Sequence, residues 1–593
     1  MTDQREAGGR AAPTAAPGAP PTPAAGDRLT TGGLANETAI ALGLGLLAAI
    51  VLTWPLAVRL GDIAHDPFDP LFQAWTIDWV QHAFPSPSET FDANIFTPEP
   101  NSLAYSDSLL GVAIPFLPLR WIGFSPIAQL NAAILLGFAT SAASGYLFGR
   151  VVTRSVVVGA VTAAAFAFGP FGTLSSGALH ATAHAGVGVA AAAAWWLADR
   201  ARRDASLLAP AALLVAAIVW QASVSFYPGA YTVAAALVVL AVQWRALGRR
   251  GLVWAGGALA VSLVGILVLA IPYFEVQADQ PTFERDLADL PALSADFGAT
   301  DPRLLLWGPL LGDGPDSWPV YGEPAFPGIV LLVLAPIGLV AGWRAGGDRR
   351  RATQVASALV VVGAFLGIGT GPTGWRRFMP YRLLFEFVPG WSALRATGRA
   401  WVVGLLGVGI LAGLGVAVLA RWLARRESKV TRVACILTTI AVLGILFEGF
   451  APWTDRPTVE VSGVDEALAD LPPGGVLYVP ALQTDNGTAE ALTGLRQADN
   501  VYGTTAHHRE TPNGYSGFFP PSWVELSEEV ESLPSASALD ALRDVDLRYI
   551  VVRDWAEGGP WGALLDPETA KPLRLVTEDD GDLLYEIPPA DDR

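Results

Sequence analysis

Two carboxylates, Asp66 and Asp69, stand in HDPFDPLFQAWTIDW (65–79), between an apolar run and a long polar loop. A carboxylate held at a membrane edge can take a proton as a general base or share in binding a metal. Asp69 followed by Pro70 also reads as a plain helix opening, with Asp as N-cap and Pro at N1. The two roles are compatible. Phe68, Phe72, Trp75 and Trp79 follow at i, i+4, i+7 and i+11, one face of a helix suited to the bilayer interface. Asp78 and His82, also i and i+4, read as solvated surface.

A second chemical signal is GWRRFMPYRLLFEFVPGWSALRATGRAW (374–401), with Arg376, Arg377, Arg382, Arg395 and Arg399 and one acid, Glu386. Guanidinium forks match phosphate bidentately, so these arginines beside a bilayer suit an anionic lipid head group. Ordinary phospholipid, or the acidic end of the chain, would be an equally simple partner. His180 and His184 (HATAH) have a spacing that can hold a metal on a helix, but no third ligand is evident, and hydrogen-bonding or lining roles fit as well. Tyr227, in SFYPGAY, reads as an interfacial turn aromatic.

These residues must be positioned by membrane helices. The chain of 593 residues is 52% hydrophobic and 16% charged. Apolar runs near 39–57, 127–148, 155–172, 184–198, 207–224, 227–243, 252–272, 326–343, 354–370, 400–420 and 433–450 make about eleven spans. A further run, 108–124, is short and broken by Pro115 and Pro118. Five basic clusters, around Arg150, Arg200, Arg245, Arg349 and Arg425, fall on one side only if 108–124 does not cross. It is therefore expected to be a re-entrant or interfacial helix. The N-terminus is then cytoplasmic, and 58–126, 273–325, 371–399 and the C-terminal part lie outside.

The expected organisation is a disordered, Pro- and Ala-rich segment 1–37, a transmembrane domain 38–450 and an extracytoplasmic α/β domain 451–593. The first apolar run shows no small-residue cleavage site and is expected to remain as an anchor. Residues 455–593 carry 27 Asp and Glu against 9 Lys and Arg, which accounts for the net charge of −17. So acidic a domain argues against nucleic acid as a partner. Strands are expected at 476–481, 548–554 and 573–587, a helix at 537–545, and a loop at 501–523, whose His507, His508 and Arg509 face either the membrane site or solvent. The single cysteine, Cys435, allows no intrachain disulfide, and no phosphate-binding loop is present.

Asp69-Pro70, Trp75, Trp79, DANIFTPEPNSLAYSD (92–107), PGWSALRATGRAW (389–401) and NGYSGFFP (513–520) resemble, in type and order, a group of GT-C-like membrane proteins. The wider resemblance, over 39–560, is to the GT-C superfamily of membrane glycosyltransferases. It implies a polytopic α-helical membrane protein of about eleven spans plus outer interfacial or re-entrant helices and a small extracytoplasmic α/β domain. It implies a plasma-membrane enzyme moving a sugar from a polyprenyl-phosphate donor to a glycan, lipid or protein acceptor. Asp69, then Asp66, would be the catalytic carboxylate, and the arginines of 371–399 would hold the donor phosphate. The cavity lining would include Trp75, Trp79, Asn94 and Asp107, with His180, His184 and Tyr227 from the spans. A divalent cation, Mg or Mn, serves some members of the superfamily. A transporter of lipid-linked sugars, or a non-catalytic assembly protein, stands as the alternative.

Overall fold

The computed structural model describes residues 31–171, 177, 179–280, 287–288, 290, 294–312, 323–394, 396–424, 429–454, 456–481, 487–557 and 559–589. Each expected span corresponds to a helix: Thr31–Leu52, Pro126–Thr153, Val156–Phe168, Ala185–Arg202, Leu208–Val224, Phe226–Val242, Trp244–Asp279, Ile329–Arg344, Gly347–Ile368, Trp401–Leu423 and Val430–Glu448. Six helices of the described residues are long and apolar enough to cross a membrane. Serine side chains open several of them. Ser125 accepts from the Ala128 amide ahead of Pro126, and Ser155 and Ser225 do the same for their helices. The first helix begins at Thr31, inside the segment expected to lack structure; residues 1–30 lie outside the described residues.

Trp401–Leu423 is buried along nearly its whole length and runs through the centre of the bundle. Small residues set its spacing. A methyl group added to Gly338 would stand 1.8 Å from the Leu411 carbonyl oxygen, so Ile329–Arg344 and the central helix meet backbone to backbone. By contrast Trp244–Asp279 turns a broad apolar face outward, with Val253, Val264 and Val268 at least 60% exposed, as a lipid-facing helix does.

All the segments expected on one side do meet at one end of the bundle. Ala64 donates to the Pro457 carbonyl, Tyr273 bonds the backbone at Ser106, Arg303 reaches His65, and Tyr231 donates to the Ala396 carbonyl. At the other end Arg150 pairs with Glu37, and Arg250 with Asp204. The run 108–124 forms a helix only over Leu110–Trp121. Its twelve residues span about 18 Å, too short for a hydrocarbon core of about 30 Å. Trp121 and Ile122 are more than 70% exposed at its end.

The aromatic helix departs from expectation. It spans Asp69–Ala83, and Phe72, Trp75 and Trp79 are buried rather than turned to lipid, because the C-terminal domain covers them. One hydrophobic core runs from the first helix through this loop into that domain, joining Trp75 and Phe96 to Leu477, Trp523 and Ile550. The domain holds a four-stranded sheet in the order Gly475–Val479, Leu547–Val552, Asp582–Glu586, Arg574–Asp579. The first pair is parallel and the rest antiparallel. The expected single strand 573–587 is a hairpin, turned by Asp580 and Gly581 at φ 46° and 88°. The helix at 537–545 is found as Ala536–Asp544.

Candidate active site

Asp69 is the first residue of its helix, and Phe68, not Asp69, holds the N-cap position. The Asp69 carboxylate is thus not used in capping. It points to the C-terminal domain, where the Tyr515 hydroxyl donates to its Oδ1 at 2.5 Å. The helix N-terminus behind it favours negative charge.

Asp107 comes to the same place from the far end of the loop. Tyr273, near the end of Trp244–Asp279, donates to the Ser106 carbonyl at 3.0 Å and accepts from the Ser108 amide at 3.1 Å. That clamp fixes the backbone on both sides of Asp107. The Asp107 carboxyl takes hydrogen bonds from the Ser225 side chain and the Phe226 amide. Burial pushes its pKa up to about 6, against the pull of those bonds and of Arg399, and the charge of Asp69 adds to the rise. Arg399 lies 5.6 Å above the Tyr227 ring, on this side of the site.

Asp66 sits in a different environment. His65 Nδ1 is 2.8 Å from its Oδ2, and its Oδ1 accepts from the Phe68 amide. The His65 ring touches Arg303 through Nε2 at 3.2 Å and packs edge-on against Trp453. Arg303 is chelated by Asp301, and Arg456 donates to the His65 carbonyl at 2.9 Å. Burial, helped by the neighbouring Arg303, brings the Arg456 guanidinium down to about 10. Burial likewise holds the His65 imidazole below its usual range. Opposite charges balance in this cluster, and Asp66 is locked inside it.

The arginines of 374–399 do not converge. Arg376 bonds the Ser294 hydroxyl and stacks on Trp375. Arg377 is exposed over Phe378 at 4.5 Å, and Arg382 pairs with Glu386 at 2.6 Å. Only Arg399 among the four described reaches Asp107; Arg395 lies outside the described residues. Of the cavity residues, Tyr227 lies beneath Arg399, whereas Trp75 is fully buried between Phe72 and Trp79. Trp79 donates to the Thr90 carbonyl, and Asn94 to the Arg509 carbonyl. His184 is buried, its Nε2 3.1 Å from the Phe166 carbonyl, as a hydrogen-bonded core histidine. The His180 side chain lies outside the described residues.

Asp78 is the clearest correction. Its side chain is 8% exposed and lies between Arg120 and His508, whose Nε2 is 2.7 Å from Oδ2. The His508 ring stacks on His82 at 3.9 Å. The i, i+4 spacing gave no hint that a second domain would cover the pair. Tyr515, Ser225 and Tyr273 also escaped the sequence reading, because each acts through the tertiary approach of distant segments. NGYSGFFP was the one available pointer to Tyr515.

Asp69 and Asp107 alone form a thin donor set for a cation. Each already takes hydrogen bonds, and no group of three His, Cys, Asp or Glu suited to a metal occurs among the described residues. Among the described residues, the protein ligands do not fit a resident divalent cation.

The sequence matches no protein-family model and no curated protein. Among solved structures, the chain is similar to the oligosaccharyltransferase AglB of Archaeoglobus fulgidus in complex with an inhibitory peptide and a dolichol-phosphate. The two share 12% identity over 88% of this chain and 70% of that one, with a TM-score of 0.45. It is also similar to ArnT of Cupriavidus metallidurans bound to undecaprenyl phosphate, at 14% identity over 95% and 99% of the chains and a TM-score of 0.45. At these values no residue is carried from one chain to the other.

Proposed function

We propose that this chain is a membrane glycosyltransferase that moves a sugar from a polyprenyl-phosphate donor to an extracytoplasmic acceptor. The observation that carries the reading is the meeting of Asp69, Asp107 and Arg399 where the first loop, the bundle and the C-terminal domain join. Two carboxylates and an arginine at a bilayer edge suit a displacement at an anomeric carbon with a phosphate leaving group.

In this mechanism the free oxygen of Asp69 takes the proton of the acceptor hydroxyl as its oxygen bonds to the anomeric carbon. The bond from that carbon to the phosphate oxygen breaks, and the electron pair leaves with the lipid phosphate. Arg399 stabilises the charge gathering there. Asp107, held by Ser225 and the Phe226 amide, accepts from a sugar hydroxyl and orients the ring. A single displacement with one base inverts the anomeric centre.

The test is sugar transfer in proteoliposomes, from a panel of polyprenyl-phosphate sugars to cell-envelope acceptors, for wild type and Asp69→Asn. Product from the wild type alone supports the reading. Lipid crossing the bilayer without product would establish transport instead.

A further inference from the structure

We infer that the C-terminal domain completes this catalytic centre, with Tyr515 as a positioning residue for Asp69; the inference rests on the glycosyltransferase reading above. A carboxylate on the first residue of a helix has free rotamers unless something holds it. Here the phenol of Tyr515 fixes Oδ1 at 2.5 Å, leaving Oδ2 for an acceptor hydroxyl. The bond is charge-assisted and short, and no proton need leave the phenol.

Tyr515 is itself held from both sides. Its ring packs on Phe72, in the same helix as Asp69, at 5.2 Å. Two residues earlier, Asn513 binds the strand Gly475–Val479 through both ends of its amide, donating to the Tyr478 carbonyl and accepting from the Tyr478 amide, each at 2.9 Å. The Asn513 carbonyl accepts from the Phe96 amide. Gly514 lies flat on the Phe96 ring, where a methyl group would come within 2.3 Å, so no larger residue fits that approach. One residue later the Ser516 hydroxyl donates to the Tyr105 carbonyl at 2.6 Å, two residues before Asp107. The stretch 511–516 thus connects the sheet of one domain to both carboxylate-bearing ends of the first loop. A domain whose only role was assembly would not need a phenol on the Asp69 carboxylate.

The experiment uses the full chain in proteoliposomes, as wild type, Tyr515→Phe, Asp69→Asn and the double variant. Phenylalanine retains the packing on Phe72 and removes only the hydroxyl. The expected result is a kcat lower by about 10- to 100-fold, with donor KM and melting temperature unchanged. The double variant should be no slower than Asp69→Asn, since Tyr515 acts through that carboxylate. A Tyr515→Phe enzyme within about twofold of wild type, or losses that multiply in the double variant, would overturn the inference.

Hydrogen exchange of the amides of Asp69 and of 71–75 gives a readout that needs no donor. Faster exchange in Tyr515→Phe is expected, and identical exchange would overturn the inference whatever the activity. If the wild type transfers no sugar from any donor, the glycosyltransferase reading falls, and exchange alone then decides whether Tyr515 restrains Asp69.

Discussion

The first loop and the arginine segment 374–399 lie at the same end of the molecule and carry its most conspicuous charges, yet they are built differently. In the first loop the charged residues near the bundle are drawn into tertiary contacts: Asp69 meets Tyr515 and Asp78 meets His508 from the C-terminal domain, and Asp78 also pairs with Arg120. Asp66 joins its neighbour His65, which in turn meets Arg303 and Arg456. Phe96, Asn101 and Leu109 hold positive φ near 50°, a backbone choice that tertiary contacts must sustain. In the arginine segment two of the four described arginines have only local partners. Arg382 pairs with Glu386 one turn on, Arg377 with the next ring, and Trp375, Phe378 and Phe387 are more than half exposed. One region is organised inward around a few groups; the other spreads an apolar and cationic face outward, as a segment resting on lipid head groups would.

The sharpest way to break this contrast is Asp69→Asn. Loss of a general base is expected to lower kcat by about 10²- to 10⁴-fold, measured as sugar transfer. A loss of that size on changing Arg377 instead would reverse the roles of the two regions.

Next in size is Asp78→Ala. It strands Arg120 and His508 at a buried contact, and breaking one member of such a set costs about 3–5 kcal/mol. A melting temperature lowered by several degrees, with the C-terminal domain more open to protease, is the expected outcome. An unchanged melting curve would make the contact with the first loop incidental.

What the sequence made legible follows the same division. The helices were legible because runs such as 400–420 are apolar throughout, and the gathering of the loops at one end of the bundle was legible from where the arginines between spans fall. Asp69 stood out as a candidate from its place beside Pro70 and the tryptophans, and its catalytic role is a proposal. The burial of Trp75, the pairing of Asp78 and the approach of Tyr515 were not, because each depends on a domain about 430 residues further on in the chain. The arginines misled for the opposite reason. Five in one loop suggest a single site, but charge composition says nothing of which side chains converge, and among the described residues only Arg399 of the five is brought to Asp107.

Arg399→Ala tests that exception and should lower kcat by about tenfold or more, with Arg399→Lys restoring part, since lysine keeps the charge without the fork. Asp107 supplies a pH signature. Its carboxyl is raised to about 6, chiefly by burial, so the ionised form needed to accept from a sugar hydroxyl is lost as pH falls through 6. The acid limb of kcat should lie there and vanish in Asp107→Asn. Stability has the opposite sign. A raised carboxyl pKa makes ionisation cost more in the folded state, so wild-type stability declines as pH rises from about 4 towards 6, and the asparagine variant escapes that decline.

The smallest effect is expected from Arg382→Ala. Its bond to Glu386 is an i, i+4 pair on a short, half-exposed helix, Tyr381–Phe387, where such pairs contribute about 0.3–0.5 kcal/mol. Activity should stay within about twofold and the melting temperature within a degree or two. The donor KM is the discriminating number. If Arg382 only rests at the bilayer surface, KM is unchanged in neutral liposomes and shifts only when anionic lipid is included, because a surface arginine acts on the local concentration of charged lipid. A KM that rises several-fold in neutral liposomes would instead mean that Arg382 touches the donor phosphate, and the arginine segment would then bind substrate after all.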